Sequence, residues 1–210
     1  MASYDDLAQR VLSGNDGQVK TLTKALIDSG NNPIEIINQG LIAGMNIVGT
    51  RFKNGDMFVP EVLMAARAMT EGIALVKPLI AETDMPSAGK VVIGTVKGDL
   101  HDIGKNLVGM MMESAGFTVI NLGVDISPEK FVEAAKAHKA DIIAMSALLT
   151  TTMLSMKDAI ELFKEEGLRN NVRIIVGGAP ISQDFADEIG ADGFAPDAAS
   201  ACELCKKLLS

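Results

Sequence analysis

The chain has 210 residues and a formal net charge of −8; hydrophobic residues make up 48% of it and aromatic residues 4%. The negative charge and the lack of a basic stripe argue against a nucleic-acid partner. No apolar run reaches the roughly 20 residues of a membrane helix, and the acidic N-terminal stretch is unlike a secretory signal. We therefore expect a soluble, cytoplasmic protein with one large domain or two modest ones.

The first part of the chain is predicted to be helical. Up to about Thr83, apolar residues recur at helical spacing, and Pro33 opens the second long segment. Pro60 suits the first position of a further helix, which we expect Pro78 to kink near its end. Together with an opening helix, these segments predict a four-helix bundle as an N-terminal domain of residues 1–84.

From Lys90 onward, short β-branched runs alternate with amphipathic helices. The runs VVIGTV, FTVINLG, DIIAMSAL and VRIIVGG and the weaker GFAP are predicted as strands. Continuous apolar strands separated by helices are typical of a parallel sheet that is covered on both faces. Residues 85–210 are therefore predicted to form an α/β domain of the flavodoxin-like, doubly wound type, with a five-stranded sheet in the order 2-1-3-4-5. The composition of TDMPSAGK predicts a linker between the domains.

Two cysteines, Cys202 and Cys205, form a CxxC pair within the last predicted helix. This spacing occurs in redox sites and in half of a zinc site. Structural zinc takes four ligands, and the sequence has no second pair of cysteines. We therefore interpret the pair as two partly buried thiols without a chemical role.

Small and polar residues follow the predicted strands, at the edge where doubly wound sheets bind their ligands. Strand one ends in GDLHDIG, which contains Asp99, His101, Asp102 and Gly104. Strand three ends in SALLTTT and strand four in GGAP. Among these residues His101 is the one with a strong electron-pair donor, its imidazole. Asp102 could serve the site or help to begin the next helix.

Several uses of His101 can be compared. As a general base it could act on the hydroxyl of Ser146 or of one of the threonines 150–152, but no oxyanion-stabilising glycine turn accompanies them. As a zinc ligand it lacks partners, because His138 lies in a predicted surface helix and the two cysteines lie in the last helix. A phosphate site at Lys105 lacks the full glycine-rich motif and has acidic neighbours. The remaining use is as one axial ligand of a metal held by a cofactor, with Asp99 accepting the Nδ1 proton.

Three short motifs resemble the DxHxxG, SxL and GG signature of cobalamin-binding proteins. They are Asp99-x-His101-x-x-Gly104, Ser146-x-Leu148 and Gly177-Gly178. The resemblance implies that His101 replaces the cofactor's dimethylbenzimidazole as the lower ligand of cobalt, supported by Asp99 and a hydroxyl, for which Thr152 is the candidate. It further implies that the nucleotide tail contacts Ser146 and Thr150 in the crevice between strands one and three, where the paired glycines leave room.

The helical half is similar to the cap of methyl-carrying corrinoid proteins, including cobalamin-dependent methionine synthase. The segment that carries this similarity is NGDMFVPEVLMAARAM. The whole chain resembles the small corrinoid subunits of methylamine and methanol methyltransferase systems. This resemblance implies that Phe58, Val59 and Met64 form an apolar cover over a methyl group on cobalt. Phe58 could also, or instead, act as a hydrophobic staple for the helix starting at Pro60.

The resemblance implies a corrinoid methyl carrier that is not catalytic alone and whose cobalt cycles between methyl-Co(III) and Co(I). Its expected partners are a substrate-specific corrinoid methyltransferase, a second methyltransferase with a pterin or thiol acceptor, and a reductive-activation protein. The alternatives are the small subunit of an adenosylcobalamin mutase, which lacks a helical cap, and a cobalamin-dependent sensor, which needs a DNA-binding module. The sequence leaves open whether the methyl donor is a methylamine, a quaternary amine, methanol or an aryl methyl ether. The linker is the expected hinge for movement of the cap.

Overall fold

A computed structural model describes residues 2–80 and 87–210. The chain divides into two compact units. The first unit contains residues up to Ser87 together with Ser114–Gly116, and the second contains Ala88–Glu113 and Phe117–Ser210. The domain boundary predicted at residues 84 and 85, and with it part of the predicted linker, lies outside the described residues.

The first unit is a helical bundle, as the sequence predicts. Its elements are α1 (Tyr4–Leu12), α2 (Asp16–Asp28), a continuous helical run made of α3 (Pro33–Glu35), a π-helical stretch (Ile36–Ile42) and α4 (Ala43–Lys53), and finally α5 (Val59–Val76). Polar side chains begin the early helices: Ser3 accepts a hydrogen bond from the Asp6 amide, and Asn15 accepts one from the Gln18 amide. The predicted helical N-terminal part is therefore confirmed.

Helix α1 lies close to α4 because residue 44 is a glycine. A Cβ atom at Gly44 would lie 2.7 Å from the Ala8 carbonyl oxygen and 2.7 Å from Val11 Cβ. Glycine inside a helix costs about 1 kcal/mol relative to alanine. In this bundle the cost is offset by close packing, since Leu7 and Val11 of α1 are completely buried.

The end of α5 differs from the prediction. Instead of a kinked helix that continues past Pro78, α5 ends at Val76 and a single 3₁₀ turn follows at Lys77–Leu79. Proline has no amide hydrogen to donate, and its ring clashes with the carbonyl four residues earlier, so α-helical bonding stops ahead of it. No helix in the described ranges, 2–80 and 87–210, is long and apolar enough to cross a bilayer.

The second unit is an α/β domain with a parallel five-stranded sheet in the order β2-β1-β3-β4-β5. Its strands are β1 (Lys90–Thr95), β2 (Thr118–Asn121), β3 (Ile142–Ser146), β4 (Arg173–Gly177) and β5 (Gly193–Phe194). Its helices are α6 (Ile103–Ser114), α7 (Pro128–His138), α8 (Leu154–Glu165), α9 (Gln183–Ile189) and α10 (Ala198–Leu208). The predicted fold class and strand order are therefore confirmed.

Aliphatic side chains of neighbouring strands align across the sheet. Val92 pairs with Ile143, which in turn pairs with Ile174. These three residues share one buried core with Phe131 of α7 and Phe163 of α8. The alternate residues of the same strands face the opposite side and are also buried. Because both faces are covered, each strand is an unbroken apolar run in the sequence.

The CxxC cysteines lie on α10 as free thiols, and both are buried more fully than we expected. Burial raises the pKa of Cys202 and of Cys205 to about 12. Since the thiolate is the reactive form, burial makes both thiols poor nucleophiles at neutral pH.

Candidate functional site

His101 lies in the loop that follows β1, two residues after Asp99. Its Nδ1 atom is 2.7 Å from Asp99 Oδ1; the imidazole is 51% exposed and the Asp99 side chain is completely buried. An ionised carboxylate can only accept hydrogen bonds, so Nδ1 carries the proton and the lone pair of the neutral ring is on Nε2. This is the tautomer required of an imidazole that binds a metal through Nε2.

The Asp99 carboxylate is held by the loop that follows β3. Its Oδ2 atom accepts hydrogen bonds from the Leu148 amide at 2.7 Å, the Leu149 amide at 3.3 Å and the Thr152 hydroxyl at 2.8 Å. Burial would raise the pKa of Asp99, but the hydrogen bonds from the Leu148 and His101 amides and from the His101 and Thr152 side chains outweigh it. The pKa therefore lies below its ordinary value, and the group stays charged at neutral pH.

Thr95 fixes the backbone of the histidine itself. Its hydroxyl, completely buried at the end of β1, donates a 2.9 Å hydrogen bond to the His101 carbonyl oxygen. Thr95 was not among the site residues predicted from the sequence. The available signal was a single hydroxyl residue within the otherwise apolar run VVIGTV.

Within the described residues, the other predicted residues of this loop and the next form no hydrogen bond with Asp99 or His101. Ser146 ends β3 and is partly buried, and Thr150 is exposed in the turn that follows. The Asp102 carboxylate accepts a 2.9 Å hydrogen bond from the Asn106 side chain, and its carbonyl accepts the Asn106 amide at 2.8 Å. These bonds favour the role of Asp102 in beginning α6. Gly104 lies in the exposed first turn of α6, and apart from its chain neighbours and the backbone of its own helix no atom lies within 4 Å of the position of an added Cβ.

The paired glycines at the end of β4, Gly177 in the strand and Gly178 just after it, have a packing role in the structure. Gly178 has a φ of +127°, and a Cβ atom there would lie 1.8 Å from the Ala147 carbonyl oxygen. A Cβ atom at Gly177 would lie 2.9 Å from the Ala195 carbonyl oxygen. The loop after β4 therefore passes directly against the backbone that follows β3. Room for a nucleotide tail stays a prediction.

Lys105 lies in the first turn of α6 and is buried, which the sequence did not predict. Its ammonium group donates hydrogen bonds of 2.6 Å to Asn106 Oδ1 and 2.8 Å to Asn121 Oδ1. Burial lowers the pKa of Lys105, and the Asp102 charge opposes that shift. The lysine thus ties the start of α6 to the end of β2.

In the first unit, the start of α5 carries exposed apolar side chains, which we call the α5 apolar cluster. Its members are Phe58, Val59, Leu63 and Met64. Phe58 is the N-cap residue and is 71% exposed, with its amide donating to Glu61 Oε2 at 2.8 Å. A hydrophobic staple uses the residue before the N-cap, which is the buried Met57. The prediction of Phe58 as a staple is therefore wrong, and Leu63 is an addition to the predicted set.

Exposed leucine and isoleucine side chains also flank His101 within the second unit. They are Leu100 and Ile103 in its own loop and Leu148 and Leu149 after β3. A half-exposed imidazole with its lone pair on Nε2 and apolar neighbours fits a large apolar macrocycle whose metal takes one axial ligand from the protein. The residues present therefore fit a corrinoid.

Comparison with known protein families gives two matches. A family described as B12 binding domain matches residues 89–205, which is more than half of the chain, and a second family of the same description matches residues 3–77. The two matches fall on the α/β unit and on the helical unit respectively.

Individual relatives agree over the full length. The chain is 52% identical to a dimethylamine corrinoid protein of Methanosarcina barkeri, covering 99% of this chain and 100% of that one. It is 47% identical to a corrinoid protein of Desulfitobacterium hafniense (strain Y51), covering 100% and 98%.

Solved structures agree as well. The methanol:cobalamin methyltransferase complex MtaBC of Methanosarcina barkeri contains a chain with a TM-score of 0.87 and 31% identity, covering 97% of this chain and 78% of that one. A cobalamin-binding protein of Desulfitobacterium hafniense DCB-2 gives a TM-score of 0.84 and 30% identity over 99% of both chains. This chain therefore belongs to the B12-binding family as a corrinoid protein, and its cofactor is a corrinoid.

Proposed function

We propose that this protein is a methyl carrier in which His101 would hold the cobalt of the corrinoid through Nε2. The observation that carries the proposal is the 2.7 Å hydrogen bond between His101 Nδ1 and the buried Asp99 carboxylate. When bound, the corrinoid would supply a cobalt that accepts and releases a methyl group. Asp99 would hold the imidazole in the metal-binding tautomer, and the Thr152 hydroxyl would hold Asp99.

The Asp99–His101 pair would also hold a proton at a defined atom. The Nδ1 proton lies on a hydrogen bond to a carboxylate with a lowered pKa. Because a carboxylate of lowered pKa stays charged, the proton would remain on Nδ1 and leave Nε2 free for a metal.

The partners are proposed from the relatives. The similarity to a chain in the methanol:cobalamin methyltransferase complex supports a corrinoid methyltransferase as the partner that loads the methyl group. A second methyltransferase with a pterin or thiol acceptor and a reductive-activation protein complete the proposed system. The full-length relatives named dimethylamine corrinoid protein favour a methylamine, and in particular dimethylamine, as the donor used by the first partner. The match of residues 3–77 to a B12-binding family argues against a cap-free mutase subunit.

The ligand assignment is tested by absorption spectroscopy of the corrinoid-loaded protein. His101→Ala should convert the bound corrinoid to a base-off or water-ligated spectrum. His138→Ala is the matched control, because His138 is the chain's other histidine and lies exposed on α7. An unchanged spectrum of the His101 variant would refute the ligand assignment.

We further propose that the α5 apolar cluster forms the cover of the corrinoid. Since Phe58 is 71% exposed, Phe58→Ala should change the free energy of unfolding by no more than about 0.5 kcal/mol. It should nevertheless weaken corrinoid binding, measured by equilibrium dialysis. Leu79→Ala is the control, because Leu79 is also exposed but lies beyond the other end of α5. Equal affinities of both variants and the unmodified protein would contradict the proposal.

A further inference from the structure

Asp125 has an unusual backbone conformation at the end of the loop that follows β2. Among the described residues, Asp125 and Lys139 are the non-glycine residues with positive φ, at 55° and 52°. Lys139 caps the C-terminus of α7, where a left-handed residue is common. Asp125 ends no helix. A left-handed conformation is unfavourable for most residues, and aspartate is among those that tolerate it best.

The contacts of Asp125 explain why the conformation persists. Its Oδ1 atom accepts a 2.7 Å hydrogen bond from the Gly98 amide, and its own amide donates a 3.0 Å bond to the Asp99 carbonyl oxygen. The next residue, Ile126, continues this alignment by donating from its amide to the Thr95 carbonyl oxygen at 2.9 Å. Asp125 thus holds two consecutive residues at the point where the histidine loop leaves β1.

We propose that Asp125 is a positioning residue for His101. The inference rests on the proposed function, because it takes His101 as the ligand of cobalt. Both the amide and the Nδ1 atom of His101 bond to Asp99 Oδ1, so the direction of the imidazole depends on where Asp99 lies. The loop after β3 holds the Asp99 side chain, at Leu148 and Thr152, and Asp125 holds its backbone. The Asp99 amide also donates to the Val96 carbonyl oxygen at 3.1 Å, so Asp125 adds a bond from a second loop to this local turn.

The side chain of Asp125 does this without contact with the imidazole. Gly98 also has a left-handed conformation, with a φ of 82°. Without the Asp125 carboxylate, the Gly98 amide would lose its acceptor, Asp125 Oδ1. A hydrogen bond to a charged acceptor contributes enough to change an equilibrium by about tenfold or more. Removal of the Asp125 carboxylate should therefore loosen the loop and reduce the preference for the histidine-ligated form by about tenfold.

Three variants of the corrinoid-loaded full chain test this. Asp125→Gly keeps the left-handed backbone and the amide but removes the acceptor. Asp125→Asn keeps the Oδ1 acceptor and also tolerates positive φ, so it is the matched control. Asp125→Ala is a second way of removing the acceptor if the glycine variant does not fold. The measurement is a cyanide titration at constant pH, in which absorption reports the replacement of the protein ligand by cyanide.

Asp125→Gly should give a cyanide midpoint about tenfold lower than that of the unmodified protein. Asp125→Asn keeps a weaker, neutral acceptor and should give a midpoint between those two. An unchanged midpoint for Asp125→Gly, with or without a loss of folding stability, would overturn the positioning role. An equal shift for Asp125→Asn would overturn it too, because the acceptor geometry is kept. His101→Ala separates the two hypotheses: if it leaves the midpoint unchanged, the ligand assignment itself fails.

Discussion

The Thr152 hydroxyl donates a 2.8 Å hydrogen bond to Asp99 Oδ2, and both residues are buried although 53 positions separate them in the chain. The bond joins the end of β1 to the turn after β3, which are neighbours in the sheet. It therefore crosses the point where the strand order reverses, at which doubly wound folds bind their ligands. The support of His101 is thus built from segments that only the folded sheet brings together.

Replacement of Thr152 by valine should weaken this support. The variant keeps the shape of the side chain but removes one donor from a buried carboxylate, so the pKa of Asp99 should rise. The free energy of unfolding should fall by roughly 1–3 kcal/mol at neutral pH, measured by urea titration. Thr152→Ser keeps the hydroxyl and should lose less. A valine variant as stable as the unmodified protein would show that the other donors suffice.

Asp99 should make the protein sensitive to acid. Its pKa is lowered on folding from an ordinary value of 3.8, so the charged form stabilises the fold above that pH. This contribution is lost as the pH falls below about 4 toward the folded pKa. Asp99→Asn should therefore be less stable at pH 7 and lose less stability in acid. The free energies of unfolding of the unmodified protein and of Asp99→Asn should therefore differ at pH 7 and converge toward pH 2. A difference that stays constant over this range would contradict the prediction.

The sheet could be predicted from the sequence because strands that are buried on both faces are continuously apolar. Strands such as β3 and β4 are unbroken apolar runs, and small or polar residues mark their ends. The motif around His101 was recognisable for the same reason, since it directly follows β1. The end of α5 was less predictable, because a proline can either kink or end a helix and the surrounding packing decides between them.

The rest of the site left a weaker signal. The Leu148 and Leu149 amides bond to Asp99 through the backbone, so their side chains say nothing about that role. Lysine is usually a surface residue, so the sequence gives no sign that Lys105 is buried. Its buried ammonium group bonds to Asn121, which lies 16 positions away in the chain. Asp125 did leave a signal, namely an acidic residue just after β2. Only tertiary contacts, however, reveal its two bonds to the histidine loop.

Gly178 should be among the least replaceable residues of the second unit. Its φ is +127° and an alanine Cβ would lie 1.8 Å from the Ala147 carbonyl oxygen, so the backbone must move. We expect Gly178→Ala to lower the free energy of unfolding by about 3 kcal/mol or more, measured by chemical denaturation. Gly109→Ala is the control. Gly109 lies within α6, and an added Cβ would lie at an ordinary contact distance of 3.7 Å from Val119 of β2. That variant should be neutral or up to about 1 kcal/mol more stable.

Thr23 and Thr95 provide a paired test of what a buried hydroxyl contributes. Both residues are completely buried, but within the described residues Thr23 Oγ1 has no hydrogen-bond partner, whereas Thr95 Oγ1 donates to the His101 carbonyl oxygen at 2.9 Å. Valine has nearly the same shape as threonine and lacks the hydroxyl. Thr23→Val should therefore stabilise the fold by about 1 kcal/mol, and Thr95→Val should destabilise it by about 1 kcal/mol.

The test depends on the sign of the change in the free energy of unfolding of each variant. Both changes are measured by urea unfolding of the cofactor-free protein. In Thr23→Val the helix propensities of the two residues are similar, so any gain comes from removing an unsatisfied polar atom. A loss of stability in that variant would mean that the Thr23 hydroxyl is satisfied in solution, for example by water. In Thr95→Val the His101 carbonyl loses a donor next to the ligand loop. A neutral result there would show that this carbonyl finds another partner and that Thr95 does not hold the histidine.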